Sequence, residues 1–124
     1  MVGPVNDLNR SVEDALPLTH VVYFVLLSLY EAPRHGYGII KDVADRTGGR
    51  LELEAGTLYA AIKRLRDDEW IGETDGPESA DARRRYYELT ALGRRVLRAE
   101  SERLELMVEL ARRADVLPGA EGRA

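Results

Sequence analysis

The stretch EAGTLYAAIKRLRDDEW, residues 54–70, decides how the whole chain is read. At 100° per residue, Leu58, Ala61, Ile62 and Leu65 recur at i, i+3, i+4 and i+7 and fall within one narrow arc, which marks an amphipathic helix with a buried stripe. The opposite side is unusual. Where a surface helix ordinarily mixes Glu and Lys, it carries Gly56, Ala60, Lys63 and Asp67, flanked by Thr57, Tyr59, Arg64 and Arg66. Small Gly56 and Ala60 let a large partner approach the backbone closely. Lys63 and Arg64 can meet phosphates or guanine edges, and the hydroxyls of Thr57 and Tyr59 can bond a phosphate or a base. The helix start adds unpaired N–H groups that favour an anion. Asp67, Asp68 and Glu69 repel phosphate, but they stand at the far end, where such a helix leaves the groove. This face has the composition of one that reads duplex DNA. The plainer alternative is that Tyr59 is half-buried packing and Lys63 an ordinary surface lysine.

The flanking sequence supplies a frame for that helix. Thr19 can cap a first helix running to about Glu31, and its run VVYFVLLSLY (residues 21–30) is apolar on nearly every side, which places it at the centre of the fold. EAPRHGYG (31–38) breaks it with a proline and two glycines. A second helix is expected from Gly36 to Thr47, with Tyr37, Ile39, Ile40, Val43, Ala44 and Thr47 at helical spacing and Gly48-Gly49 as its stop. After a short extended link, Arg50 to Gly56, comes the opening helix. WIGETDG (70–76) then reads as a strand ending in a Gly76-Pro77 turn, ESADA as a polar loop, and RRRYYEL (83–89) as the returning strand of a two-stranded hairpin. Thr90 caps a long last helix that reaches about Ala114. Residues 1–17 form an arm, in which Ser11 to Leu16 can make a helical turn ended by Pro17, and residues 118–124 a frayed tail.

The order helix, helix, helix, hairpin, helix predicts a mainly α protein with a small β-hairpin, the winged helix-turn-helix, whose third helix is offered to the major groove. The units are the arm (1–17), the winged domain (18–89), a C-terminal dimerisation helix (90–117) and the tail.

Composition sets the outer bounds. The chain has 124 residues, 44% apolar and 32% charged, which fits one soluble domain with a real core. Cysteine is absent, so disulfides and thiolate metal sites are excluded and a reducing, cytoplasmic setting is expected. The apolar run is short of the roughly 20 residues a bilayer needs, so no membrane partner is expected. The N-terminus lacks the basic start and apolar block of a signal peptide. Net charge is −4, yet the basic residues are grouped. Residues 35–66 hold six Lys/Arg against four Asp/Glu, residues 67–81 seven acids and no base, and residues 82–98 six arginines and one glutamate. A nucleic-acid surface needs only local positive potential, although alternating blocks are also what a solvated surface looks like.

HGYGIIKDV (35–43), GGRLELEAGTLYAAIKRL (48–65) and RRRYYELTALGRRVL (83–97) together resemble the PadR family of bacterial transcriptional regulators. The likeness covers roughly residues 18–112, and the short single C-terminal helix is similar to the small-sized branch of that family. The resemblance implies a homodimeric winged-helix repressor that binds double-stranded DNA as a two-fold site, with the last helix as the dimer element. Carried over by position, Tyr37, Thr57, Tyr59 and Lys63 would touch DNA, and Arg83, Arg84 and Arg85 would meet phosphates beside the wing. Lys41, on the second helix, joins the candidate DNA contacts. Two departures stand out. The wing tip DGPESAD (75–81) is acidic, and the only tryptophan, Trp70, stands at the start of the wing. Some small members hold flat aromatic drugs with a tryptophan on the last helix, a mode this sequence does not support.

Arg83, Arg84 and Arg85 in a strand would alternate in direction, so at least one should reach solvent or phosphate. Arginines on an edge strand can equally serve to discourage aggregation. Tyr86 and Tyr87 should split, one into the core near Trp70 or Ile71 and one outward. The last helix carries Leu104, Met107, Val108, Ala111 and Ala114 on one side, widened by Leu106 and Leu110. That apolar width must be buried on its own domain or on a second copy. Val96, Leu97, Leu104, Met107, Val108, Ala111 and Ala114 are the expected dimer contacts. A small apolar effector that prefers one dimer geometry is compatible with this design, since it would shift half-site spacing.

Catalysis has no support: His20 and His35 form no indicated pair, and no Gly-rich phosphate loop is present. Asp67, Asp68 and Glu69 splay outward from a helix and lack the loop geometry of a divalent-ion site, so neither metal nor cofactor is expected. A winged helix turned to protein binding, without DNA, is the competing function.

Overall fold

The computed structural model describes residues 12–78 and 81–119. Helix α1 (His20–Glu31) begins where Thr19 Oγ1 accepts the N–H of Val22 at 3.2 Å. A two-residue strand β1 (Arg34–His35) leads into α2 (Gly36–Arg46), and α3 (Ala55–Asp67) follows the extended link. Strands β2 (Ile71–Thr74) and β3 (Tyr86–Leu89) form the wing, and α4 (Ala91–Arg113) completes the chain. Gly48 and Gly49 both take positive φ, 61° and 80°, at the end of α2, the left-handed backbone that a chain reversal there requires.

The core is one cluster. Val25, Leu26 and Leu29 of α1 meet Ile39 and Val43 of α2, Leu58, Ile62 and Leu65 of α3, and Tyr87 and Leu89 of β3. This is the predicted arrangement, with α1 central because it is apolar all round. Val12 of the arm is buried against the same cluster, and residues 12–14 make a helical turn, so the described part of the arm is ordered by packing. Residues 1–11, the wing-tip residues 79–80 and residues 120–124 of the expected tail lie outside the described residues.

Three expectations about the wing need correcting. The sheet has three strands in the order β1-β3-β2, not two, because Arg34 and His35 pair antiparallel with Tyr87 and Tyr86. The segment had looked like a plain breaker. Next, β3 starts at Tyr86, so Arg83, Arg84 and Arg85 precede the strand instead of alternating along it. The ladder stops there because β2 ends at Thr74, opposite Tyr86, and Gly76-Pro77 cannot extend it. All three arginines are exposed. Finally, Tyr87 is buried as expected of one tyrosine, but Tyr86 is half-buried, standing edge-on to the His35 ring at 5.2 Å.

Helix α4 has two regimes. Thr90 Oγ1 accepts the N–H of Gly93 at 3.0 Å and donates to Glu69 O at 2.7 Å, which roots the helix on the turn before the wing. Gly93 lies so close to the Trp70 carbonyl that a Cβ there would overlap it. Two turns on, the buried Glu100 carboxylate accepts the Leu18 N–H at 2.7 Å and is paired with Arg103, while Ser101 bonds the Tyr23 hydroxyl at 2.9 Å. Val96 and Leu97, expected at a dimer contact, are buried in the domain's own core. They were misplaced because a helical stripe looks the same whichever body covers it. Beyond Arg103 the cover ends, and Leu104, Leu106, Met107, Val108 and Leu110 are exposed.

Candidate nucleic-acid interface

Helix α3 is set by its buried stripe. Leu58, Ile62 and Leu65 are at most 3% exposed, which fixes the rotation of the helix and turns the other side to solvent. Gly56, Thr57, Tyr59, Ala60, Lys63 and Arg64 are all exposed, as the wheel requires. Among the described residues no side chain caps the start of α3, so its first N–H groups stay available to a partner. Lys63 pairs with Asp67 at 3.1 Å, but with the lysine side chain 81% exposed the pair contributes little and a phosphate can compete for it.

Tyr59 is held from below. Its ring end lies on Gly36, where an added Cβ would be 2.5 Å from the hydroxyl oxygen. Only a residue without a side chain at the first position of α2 allows this approach. Tyr37, on the same turn of α2, is exposed and stacks at 6.4 Å on His35 with the rings 7° from parallel. Lys41, one turn further along α2, is exposed but does not line the same cleft.

Between α2, Tyr59 and the arginine segment lies a cleft of about 290 Å³, lined by His35, Tyr37, Tyr59 and Arg83, Arg84 and Arg85. Of the expected contacts, Tyr37 of α2, Tyr59 of α3 and the three arginines beside the wing therefore come together in one cleft. The arginines differ in what they touch. Arg83 pairs with Asp81 at 3.2 Å and Arg85 with Glu73 at 3.7 Å, whereas Arg84 has no carboxylate within ion-pair distance among the described residues. Hydrogen bonds from the Arg83 guanidinium, with a further one from its backbone N–H, hold the Asp81 carboxyl below the usual carboxylate range.

His35 is the site residue that sequence reasoning missed. Its Nδ1 accepts the Gly38 N–H at 3.0 Å and so caps α2, the task usually given to Asn, Asp or Ser. Its Nε2 lies 2.8 Å from Arg84 Nη1. Burial, with the charge of Arg84 second, pushes the imidazole below its ordinary value, which favours the neutral ring. The signal was present in the spacing: His35 precedes Gly38 by three residues at the first turn of α2, where a ring nitrogen can stand in for a cap oxygen.

Residues 25–99 match the transcriptional regulator PadR-like family, which is more than half of the chain. The chain belongs to that family. PadR-like proteins are transcription regulators and not enzymes. Solved structures agree with the assignment. A transcriptional regulator from Clostridium thermocellum is 26% identical, with a TM-score of 0.64 over 91% of this chain and 97% of that one. A PadR family transcription regulator from Clostridium difficile R20291 is 25% identical, with a TM-score of 0.66 over 77% and 97% of the two chains. Bacillus subtilis PadR in complex with operator DNA shares the fold, with 22% identity and a TM-score of 0.57 over 67% of this chain and 47% of that one. Among the described residues of this PadR-like chain, no helix is long and apolar enough to cross a membrane.

Proposed function

We propose that this PadR-like protein is a cytoplasmic repressor that binds double-stranded operator DNA as a homodimer. The observation that carries the reading is the outward side of α3: its small, hydroxyl-bearing and basic residues Gly56, Thr57, Tyr59, Ala60, Lys63 and Arg64 are left exposed by the described residues. They are flanked by Tyr37 and the arginines of the wing, which can fix the helix on the backbone while base edges are read. Thr57, Tyr59, Lys63 and Arg64 enter the major groove, and Tyr37, Lys41 and Arg83 to Arg85 lie toward phosphates. The uncovered end of α4 supports the dimer. Leu104, Met107, Val108 and Ala111 continue the angular phase of Gly93, Val96, Leu97 and Glu100, all eight falling within an arc of about 120°. The stripe that packs on the domain thus runs on past the domain's edge, and a second copy related by a two-fold axis would cover it. Two reading helices would then address major grooves roughly 34 Å apart.

A small apolar effector completes the proposal. The groove between α1 and α4, about 370 Å³ and lined by Leu27, Tyr30, Arg94, Leu97 and Arg98, would couple such a ligand to the angle at which α4 leaves the domain. Trp70 is part of the packing under the wing and lies off α4, so it would play no part in that binding.

The test is selection of genomic fragments by the purified protein, followed by anisotropy titration of the selected duplex. Binding is expected to weaken steeply with salt, because neutralised phosphates release counterions. Lys63→Glu should abolish it while leaving thermal unfolding within a few degrees. If wild-type protein retains no fragment above background, the protein-binding alternative takes over.

A further inference from the structure

The contacts of His35 are mutually exclusive as they stand. A neutral imidazole has one nitrogen that accepts and one that donates. If Nδ1 accepts the Gly38 N–H, then Nε2 carries hydrogen and faces a second donor, Arg84 Nη1, at 2.8 Å. If instead Nε2 accepts from Arg84, then α2 loses its cap. Either way one donor in the cleft is left without an acceptor. Close by, the Tyr59 hydroxyl makes no hydrogen bond among the described residues, and Arg84 lacks the carboxylate partner that Arg83 and Arg85 have.

We infer that the cleft is a seat for one phosphate group, held by His35 Nε2–H, the Arg84 guanidinium and the Tyr59 hydroxyl. An anionic oxygen placed there accepts from all three and removes the donor conflict, leaving His35 Nδ1 on the α2 cap. The groups facing the imidazole fit this role. Tyr37 and Tyr86 present ring surfaces, Arg84 a positive charge, and no carboxylate approaches the ring within ion-pair distance among the described residues. Charge-assisted hydrogen bonds of this kind are the strong ones. The seat rests on the DNA reading for its natural occupant, a backbone phosphodiester; free inorganic phosphate is the other source of the same chemistry.

His35→Asn separates the seat from the fold. Asparagine keeps a cap acceptor for Gly38 but places no N–H where Nε2 stands. The variant should unfold at the wild-type temperature and bind the selected duplex about tenfold more weakly per copy, roughly a hundredfold for a dimer. Arg84→Gln should lose a similar factor and also lower the salt slope by about one per copy. Side-chain nitrogen NMR of the wild-type protein is read with duplex and, separately, with inorganic phosphate. His35 should settle as the Nε2–H form on adding duplex; a response to phosphate alone as well means that the seat takes the free ion. A protein that binds no duplex but answers to phosphate keeps the seat and loses the DNA reading. Wild-type affinity in His35→Asn at unchanged stability, or His35 nitrogens blind to both ligands, overturns the seat.

Discussion

Met107→Glu tests the overhanging half of α4. Met107 sits near the middle of the exposed apolar arc, between Leu104 and Val108 on one side and Leu106 and Leu110 on the other, and is 53% exposed in the single chain. Full burial of a methionine side chain is worth about 1.5–3 kcal/mol, so covering the exposed half contributes about 1 kcal/mol. A two-fold contact counts every residue twice, giving about 2 kcal/mol per dimer, or roughly 30-fold in the dissociation constant, for simple loss of the side chain. A carboxylate in its place adds several kcal/mol of desolvation per copy, which takes the loss beyond about a thousandfold. The single domain should scarcely respond, because surface substitutions lie within about 0.5 kcal/mol. Sedimentation equilibrium should therefore find a dimer for the wild type and a monomer for Met107→Glu, with matching circular dichroism. The wild-type melting temperature should rise with concentration and that of the variant should not. A variant that dimerises as tightly as wild type refutes the covered-stripe argument. One that unfolds as a monomer shows that the stripe packs on its own domain.

Other substitutions probe other links. Gly93→Ala drives a methyl into the Trp70 carbonyl, which belongs to the backbone and cannot swing aside. It should cost about 3 kcal/mol and lower the melting temperature by roughly 10 °C in scanning calorimetry. Gly36→Ala meets only the far end of Tyr59. A retreat of roughly 1 Å restores an ordinary contact, so melting should hold within a few degrees while duplex affinity drops about tenfold as the hydroxyl leaves its place. Equal affinity at equal stability would remove Tyr59 from the interface. Glu100 is held below its usual value of 4.5 chiefly by the hydrogen bond from Arg103, with burial opposing and the Leu18 N–H assisting. Its folded value is depressed, so its contribution to stability is present above pH 4.5 and is lost as pH falls through the folded value. In urea unfolding across that range, the advantage of wild type over Glu100→Gln should shrink with acid. An advantage independent of pH would mean that Glu100 acts through packing alone.

The arginine segment and β1 mark where sequence reading stopped. Alternation was a sound inference for three arginines in a strand, but whether they lie in one depends on how far β2 runs opposite. A glycine and a proline after Thr74 settle that, and their effect on the partner strand crosses the whole wing loop. Two residues, Arg34 and His35, carry too little pattern to announce a strand, and they become one only because α1 delivers them beside Tyr87 and Tyr86.

The amino-acid order by itself determined the four long helices, their caps at Thr19 and Thr90, the buried side of α3 and so the bare side opposite, since each follows from spacing within one segment. Tertiary structure alone decided that Val96 and Leu97 belong to the domain while Met107 does not, that Tyr59 rests on Gly36, and that His35 meets Arg84. Local periodicity reveals which side of a helix is covered, but not by what. The cover is chosen by which distant segments the common core brings together.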